Sequence, residues 1–432
     1  MKFFFLIIFS TLFLFNNVYA ETFTAALKKA YKNNSELNAE RENINISEQE
    51  LKISMSSYLP TIILEGTKTQ EDTGKLTNRD GTNATIIDTD PQTKSISITQ
   101  TIFDFGRGAD YSKAKIGINL AKAKLLKKEQ DILYKTIAAY TGLISASEKL
   151  EINRANVELL NRQVETDRIR LERGQITLSD VSQSESSLAG AEANFIQAQN
   201  DLLTSKLNYE NIIGPISDVQ SLDKNSIINY QIPESLNTAI NLSKKSNPDL
   251  VIAEIEYEQS KKDTSIARSD LAPTAKLSLE KSYSEDFNST YDEKEKDTLT
   301  ATVTWPFFSG GKNIASLKKN KNIENRSRLT LESEIKQNQT NVASAWSNFQ
   351  SNQSLLNSVQ LQVRAAEIAN EGITAEYNSG SSGRTTLEVI QSNSILLNAQ
   401  ISLADSERNY ILSQFNLLKT IGLLNSDFLK LR

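Results

Sequence analysis

The chain repeats itself. Residues 181–214, VSQSESSLAGAEANFIQAQNDLLTSKLNYENIIG, align without a gap on 389–422, VIQSNSILLNAQISLADSERNYILSQFNLLKTIG, at a constant offset of 208. Self-similarity of this kind means one supersecondary plan used twice. Upstream, TIFDFGRG at 101–108 answers TWPFFSGG at 304–311, and YLPTIILEG at 58–66 answers LAPTAKLSL at 271–279. Each half therefore runs in one order: helical lead-in, strand pair, very long helix, tip, returning helix.

The aligned segments carry a heptad. Val181, Leu188, Phe195, Leu202 and Tyr209 recur every seven residues, and Val389, Leu396, Leu403, Tyr410 and Leu417 take the same positions in the second copy. Three residues after each stands mostly a small side chain: Ser184, Ala191, Ala198 and Ser205, then Ser392, Ala399, Ser406 and Ser413. Such a seam lets a partner helix approach closely, knobs entering shallow holes. Leu143, Leu150, Val157, Val164 and Leu171 form a matching seam on the preceding helix, as do Phe349, Leu356, Val363 and Tyr377 with Val359, Ala366 and Ile373. The spacing predicts helices over 107–173 and 311–377, 67 residues each. At 1.5 Å per residue each is about 100 Å long, far beyond a globular helix. The returning helices are half that length, and shorter helices near 34–57 and 248–269 are expected to stack on them and complete it.

Between lead-in and long helix the period changes to two. DTLTATVTWPF at 297–307 sets Leu299, Ala301, Val303, Trp305 and Phe307 against Thr298, Thr300, Thr302 and Thr304, and KSISI at 94–98 alternates likewise. With TIILEGTKTQ at 61–70 and TAKLSLEKSY at 274–283 they make β-hairpins over 61–103 and 274–307, with polar loops at 71–93 and 284–296. Apolar-out, polar-in strands with aromatics at one end describe outer-membrane barrel strands. The other reading is a small soluble sheet capping a coiled coil. Trp305, Phe307 and Phe103, with Phe105 and Phe308, read as a membrane-interface belt; simple packing at the strand-to-helix joint is the alternative. Four strands cannot close a barrel, because a spanning sheet has no free edge. Several copies of the chain must then each contribute four.

The ends and the composition narrow the function. MKFFFLIIFSTLFLFNNVYA has a basic start, an apolar run and a Val18-Tyr19-Ala20 cleavage pattern, so 1–20 reads as a secretory signal peptide. The mature chain divides into a first repeat at 21–214 (helical hairpin about 107–213), a linker at 215–232, and a second repeat at 233–432 (helical hairpin about 311–421). Cysteine and histidine are both absent, which excludes thiol nucleophiles, imidazole bases and most zinc or copper sites. No carboxylate pair has a catalytic setting, so neither enzymatic activity nor a cofactor or metal is expected. The net charge is -5, and -6 without Lys2 (47 basic against 53 acidic residues), which argues against nucleic acid as a partner. Lysine runs such as SLKKNKN at 316–322 read as solvated helix faces.

At this point the chain resembles the TolC-type outer-membrane efflux proteins. The resemblance is carried by the duplicated plan, by YLP and LAP ahead of the strands, by FDFG and FFSGG at the strand-to-helix turns, and by GQITLSDV and GRTTLEVI at the tips. It implies an α+β membrane protein: a homotrimer with a twelve-stranded outer-membrane β-barrel continuous with a periplasmic α-helical barrel. It further implies an exit duct of a tripartite efflux pump or type I secretion system, set in outer-membrane lipid with a long periplasmic extension. Its partners would be a periplasmic adaptor protein and an inner-membrane transporter. In that family the hairpin tips form a gate, closed by polar links between hairpins and lined by acidic side chains. Carried over by position, Asp180 and Ser179 fall on the first-hairpin closing network, Arg384 on the basic latch and Tyr377 on the latch tyrosine. Glu388 falls on the first lumen carboxylate, and neutral Gln391 on the second. Gly174, Gly380 and Gly383 would make the tip turns, with SGSSG two residues longer than the usual tip. Asp180 and Glu388 also stand three residues after Thr177 and Thr385, which is capping-box spacing. A reading from another class is an exported coiled-coil scaffold or adhesin without a pore.

Overall fold

The structure, a computed structural model, describes residues 22–216, 218–227, 230–288, 290–379 and 383–431. The expected signal peptide at 1–20 lies outside them. The described elements are α1 (Phe23–Asn33), α2 (Ser35–Ser56), β1 (Thr61–Lys68), β2 (Gln92–Phe103), α3 (Arg107–Glu172), α4 (Leu178–Ile212), α5 (Leu236–Ser246), α6 (Pro248–Ser269), β3 (Thr274–Glu285), β4 (Lys294–Thr304), α7 (Lys312–Ser379) and α8 (Thr386–Thr420). Two 3₁₀ turns, Val219–Ser221 and Lys224–Ser226, lie between α4 and α5. The long helices have 66 and 68 residues and the returning ones 35 each. No proline interrupts any of the four, and proline is the residue that most strongly breaks a helix. Among the described residues, no helix is long and apolar enough to cross a membrane.

The strands form one antiparallel sheet in the order β1-β2-β3-β4, so the hairpins of the two repeats join through β2 and β3. The register sorts side chains by face. Thr61, Thr99, Ser278 and Thr300 stand in one row, and the next row holds Ile62, Ile98, Leu279 and Leu299. Successive residues point to opposite sides of a sheet, so one face is hydroxylated and the other aliphatic. Thr93 and Ser284 hydroxyls lie 2.9 Å apart, and those of Thr99 and Ser278 3.2 Å apart. β4 stops at Thr304, which corrects the strand expected to reach 307: Pro306 has no N–H to offer the ladder. Trp305 and Phe307 therefore follow the strand.

The chain packs into two compact units, and each draws on both repeats. One consists of residues 39–127 and 247–338, which include the sheet. There Ser54 donates to Asp110 at 2.6 Å, and Lys113 pairs with Asp263 at 2.6 Å. Small buried residues on α6, Ala253, Ser260, Thr264 and Ala267, give it a close-packing face.

The other unit has its core where α1, α3, α4, α7, α8 and the C-terminal segment meet. Phe23, Leu27, Leu133, Ile137, Tyr140, Leu143, Tyr209, Phe415 and Leu418 are all at most 1% exposed. Each such side chain contributes about 1.5–3 kcal/mol relative to leaving it in water. Phe23 lies edge-on to Tyr140 with ring centres 5.4 Å apart. The C-terminal segment returns to this core, burying Leu424 and Leu429, and the amide of Ser426 donates to the buried Glu129 carboxylate at 2.5 Å. Lys224, in the second 3₁₀ turn, bridges Glu148 of α3 at 2.6 Å and Glu407 of α8 at 2.5 Å.

In the middle of α4 and α8 the small seam positions are the buried ones, while toward the ends Val181, Tyr209, Val389 and Leu417 are buried as well. Ser184, Ala191, Ser392 and Ala399 are at most 6% exposed, whereas Leu188, Phe195, Leu396 and Leu403 are half-buried. The helix partners meet over the small residues, and the large ones flank that contact.

Candidate functional site: the hairpin tips

Each hairpin turns at a glycine in the left-handed region. Gly174 has φ 68° and Gly383 φ 67°. A Cβ disfavours this conformation, so glycine suits the turn that ends a helix. At the first tip Gly174 N–H donates to Leu171 at 2.8 Å and Gln175 N–H to Arg170 at 2.9 Å, satisfying two otherwise orphaned helix carbonyls. Gly380 lies outside the described residues.

Both returning helices then start with a capping box. Thr177 N–H and Oγ1 donate to Asp180 Oδ2 at 2.9 and 2.7 Å, and Asp180 N–H donates back to Thr177 at 3.3 Å. At the second tip Thr385 N–H and Oγ1 donate to Glu388 Oε2 at 2.8 and 3.1 Å, and Glu388 N–H donates back at 3.3 Å. The Thr177 amide, then its hydroxyl, holds the Asp180 carboxyl below the usual range. The Thr385 amide and then the Arg384 guanidinium do the same for Glu388. Arg384 donates to Glu376 at 2.7 Å and Glu388 at 2.9 Å, both in its own hairpin, and these bonds raise its already high pKa. Ser179 and Gln391 are exposed.

The contact between the hairpins sits deeper, at residues that positional carry-over did not single out apart from Tyr377. Asp167 of α3 is 0% exposed. Its Oδ1 accepts from Tyr377 of α7 at 2.8 Å and from Gln163 at 2.9 Å, and its Oδ2 accepts from Ser184 of α4 at 2.5 Å. The Tyr377 hydroxyl also lies 2.9 Å from Thr386 Oγ1 of α8. Tyr377 has one hydroxyl proton and gives it to the carboxylate, so Thr386 must be the donor to the phenol oxygen. Arg170 stacks 4.1 Å from the Tyr377 ring centre and donates to the Tyr377 carbonyl at 3.4 Å. Burial pushes the Tyr377 phenol up. A sequence signal for Asp167 does exist: Ala146, Asn153, Leu160 and Asp167 recur every seven residues and all are buried. A carboxylate thus occupies a core position of a heptad.

At the strand-to-helix joints the aromatics are exposed in the single chain, Phe307 by 84% and Trp305 by 60%. They pair edge to face, Trp305 with Phe307 at 5.6 Å and Phe103 with Phe105 at 4.3 Å. The Trp305 indole N–H is fixed on the Leu271 carbonyl at 3.1 Å.

The family model described as "Outer membrane efflux protein" matches residues 26–215 and 239–423, one segment in each repeat. Outer membrane efflux protein BepC of Brucella suis biovar 1 is 26% identical over 416 residues, covering 96% of this chain and 88% of that protein. Alkaline protease secretion protein AprF of Pseudomonas aeruginosa is 22% identical over 350 residues, covering 80% of this chain and 72% of its own length. Among solved structures, CusC, described for transmembrane channel formation, superposes with a TM-score of 0.79 at 16% identity and 95% coverage of both chains. By their names these relatives are an outer-membrane efflux protein, a secretion protein and a transmembrane channel.

Proposed function

This chain belongs to the outer-membrane efflux protein family and acts in transport at the cell outer membrane, and on that premise we propose that it is a passive exit duct. Three copies complete a twelve-stranded barrel, their helical hairpins form one periplasmic tube, and the hairpin tips gate its entrance. A periplasmic adaptor and an inner-membrane transporter supply substrate and energy; the duct itself catalyses nothing. One observation carries the reading: a four-stranded sheet with a hydroxylated face and an aliphatic face, whose outer strands β1 and β4 have, among the described residues, no further strand beside them. Exposed edges of that kind demand pairing, and closure with further copies removes them in lipid.

In this reading Asp180 and Glu388 from three chains crowd the entrance, and acidic rings favour cations. Glu388 shares its charge with Arg384, so Asp180 carries the larger part of the selectivity. The test is cell fractionation with heat-modifiable gel mobility, followed by bilayer recording. An SDS-resistant trimer in the outer membrane with a cation-selective conductance, blocked by trivalent cations from the tip side, supports the duct. A soluble monomer overturns it in favour of a scaffold. Block that persists unchanged in the Asp180→Asn, Glu388→Gln double variant removes the acidic ring.

A further inference from the structure

Arg408 of α8 is a cation without a counterion. It is half-buried, and its Nε is shielded from solvent. Among the described residues its side chain forms no hydrogen bond or ion pair, whereas buried polar groups are almost always paired. A guanidinium stays charged in a protein and carries five N–H donors in a fixed fork. The carboxylates that line the same surfaces are committed elsewhere. Lys224 holds Glu148 and Glu407, Lys149 donates to Asp405 at 2.5 Å, and Asp201 accepts from Gln197 at 2.8 Å. The duplicated scaffold does not call for this arginine, because its counterpart 208 positions earlier is the exposed Asn200.

Arg408 lines a pocket of about 240 Å³ between α3, α4 and α8, all of it within one compact unit. Small residues make the room: Gly142 and Ala146 of α3 and Ala198 of α4. Arg408 Nε and Nη2 each lie 3.7 Å from the point a Cβ would occupy on Gly142, so the guanidinium rests on α3 where that helix has no side chain. Ser145 of α3, 5% exposed, and Ser205 of α4 add hydroxyls to the wall. The volume is several times the roughly 30 Å³ share of one water, which is room for a planar carboxylate or a tetrahedral phosphate. We infer that this pocket binds a small oxyanion, a carboxylate or a phosphate, gripped by two parallel N–H bonds from Arg408 and completed by the two serine hydroxyls. A bound oxyanion would tie α8 to α3 and α4. The site is independent of the duct reading. The four ionised side chains of its wall, Lys149, Arg408, Asp201 and Asp405, sum to zero charge, so recognition rests on the guanidinium fork. Asp201, held by an amide and by no cation among the described residues, opposes the anion.

The test is isothermal titration calorimetry and thermal unfolding of the full-length, detergent-solubilised protein. Sodium phosphate and sodium acetate are titrated separately against sodium chloride at equal ionic strength. Phosphate strengthens apolar burial in any protein, so the wild-type response is read against Arg408→Gln. Saturable heat and a saturable rise in midpoint in the wild type, absent in Arg408→Gln, support the site, and the salt that acts distinguishes a phosphate from a carboxylate ligand. Arg408→Lys keeps the charge and loses the fork, so it should bind about ten-fold more weakly, as expected for one lost hydrogen bond to a charged group. Asp201→Asn should bind more tightly than the wild type. Amide hydrogen exchange over 142–149 and 404–408 should slow under saturating anion. Should Arg408→Gln fail to fold, the lysine and asparagine variants carry the same comparison. Equal responses in wild type and Arg408→Gln, equal affinity in wild type and Arg408→Lys, or protection confined to other segments would each overturn the site.

Discussion

Replacing Ala399 by leucine tests the small-residue seam on which both hairpins depend. Ala399 is 0% exposed and packs against Val363 and Ala366, with Leu396 and Leu403 half-buried beside it. Its equivalent one repeat earlier, Ala191, is 4% exposed. Helices that approach over alanine leave no room for three further carbons, so leucine must splay the pair or leave its rotamer, at a cost of about 1–3 kcal/mol. Glycine at the same site removes one methyl and weakens the helix by about 1 kcal/mol; leucine is a good helix former, so its penalty reports packing alone. Urea titration of the detergent-solubilised protein, followed by far-UV circular dichroism, reads the difference. With a slope of about 1–3 kcal/mol per molar urea, Ala399→Leu should lower the midpoint by roughly 1 M, and Ala191→Leu by a comparable amount. Ile395→Leu, at a position 58% exposed in the single chain, is the control and should stay within about 0.5 kcal/mol. An Ala399→Leu midpoint equal to wild type would refute the reasoning, because it would mean that the seam holds space for a large side chain and that the heptad does not set the interhelical distance.

The two capping carboxylates give a pH dependence of definite sign. Asp180 and Glu388 both have lowered pKa values in the folded chain, so their contribution is complete above the unfolded value of about 4 and is lost as pH falls through the folded one. Tip amide exchange, corrected for intrinsic rates, should be flat from pH 8 to about pH 5 and rise only below about pH 4; a rise near neutrality would contradict the capping geometry. For Lys224, burial opposes the charge, but the hydrogen bonds to Glu148 and Glu407 outweigh it and raise its pKa. Its bridge is therefore present at neutral pH and is lost only as pH rises through that raised value. With 39% of the side chain exposed, solvent screening limits the loss in Lys224→Met to roughly 1 kcal/mol. A double-mutant cycle with Glu407→Gln should return a coupling of that order, and zero coupling would remove the bridge as a tie between α3 and α8.

What could be read from the residues alone was what local chemistry determines. Helices α2 and α6, expected near 34–57 and 248–269, run over Ser35–Ser56 and Pro248–Ser269. Both capping threonines fall where their three-residue spacing to an acid put them. These features involve residues at most a few positions apart, so periodicity and capping chemistry suffice. The strand expected to reach 307 failed at Pro306, a rule that was present in the sequence but was outweighed by clean alternation. Asp167 was missed for a different reason. Two of its three partners lie 17 and 210 positions away, and in TDRIRLE it looks like one more charge on a solvated helix. Only its place in the stripe of Ala146, Asn153 and Leu160 separates it from Glu165 or Glu172.

The duplication explains why such a junction can exist at all. The seam that ends in Leu171 on α3 ends in Tyr377 on α7, and the second stripe that reaches Asp167 on α3 reaches Ile373 on α7. Two identical hairpins would bring like to like at this point, either two carboxylates that repel or two phenols that lack an acceptor. The copies differ at both positions instead, so each supplies one polar and one apolar residue, and Asp167 of the first finds Tyr377 of the second. The start of the returning helix diverges in the same sense. Leu178 is 68% exposed, whereas its counterpart Thr386 is buried and bonded to the phenol. A polar residue at a core heptad position lowers stability but specifies register and partner. Here it specifies that the first hairpin pairs with the second, because a pairing of two first hairpins would bury two carboxylates that both lack the phenol donor. The repeat therefore supplies the scaffold, and the positions where its copies diverge determine how the hairpins fit together.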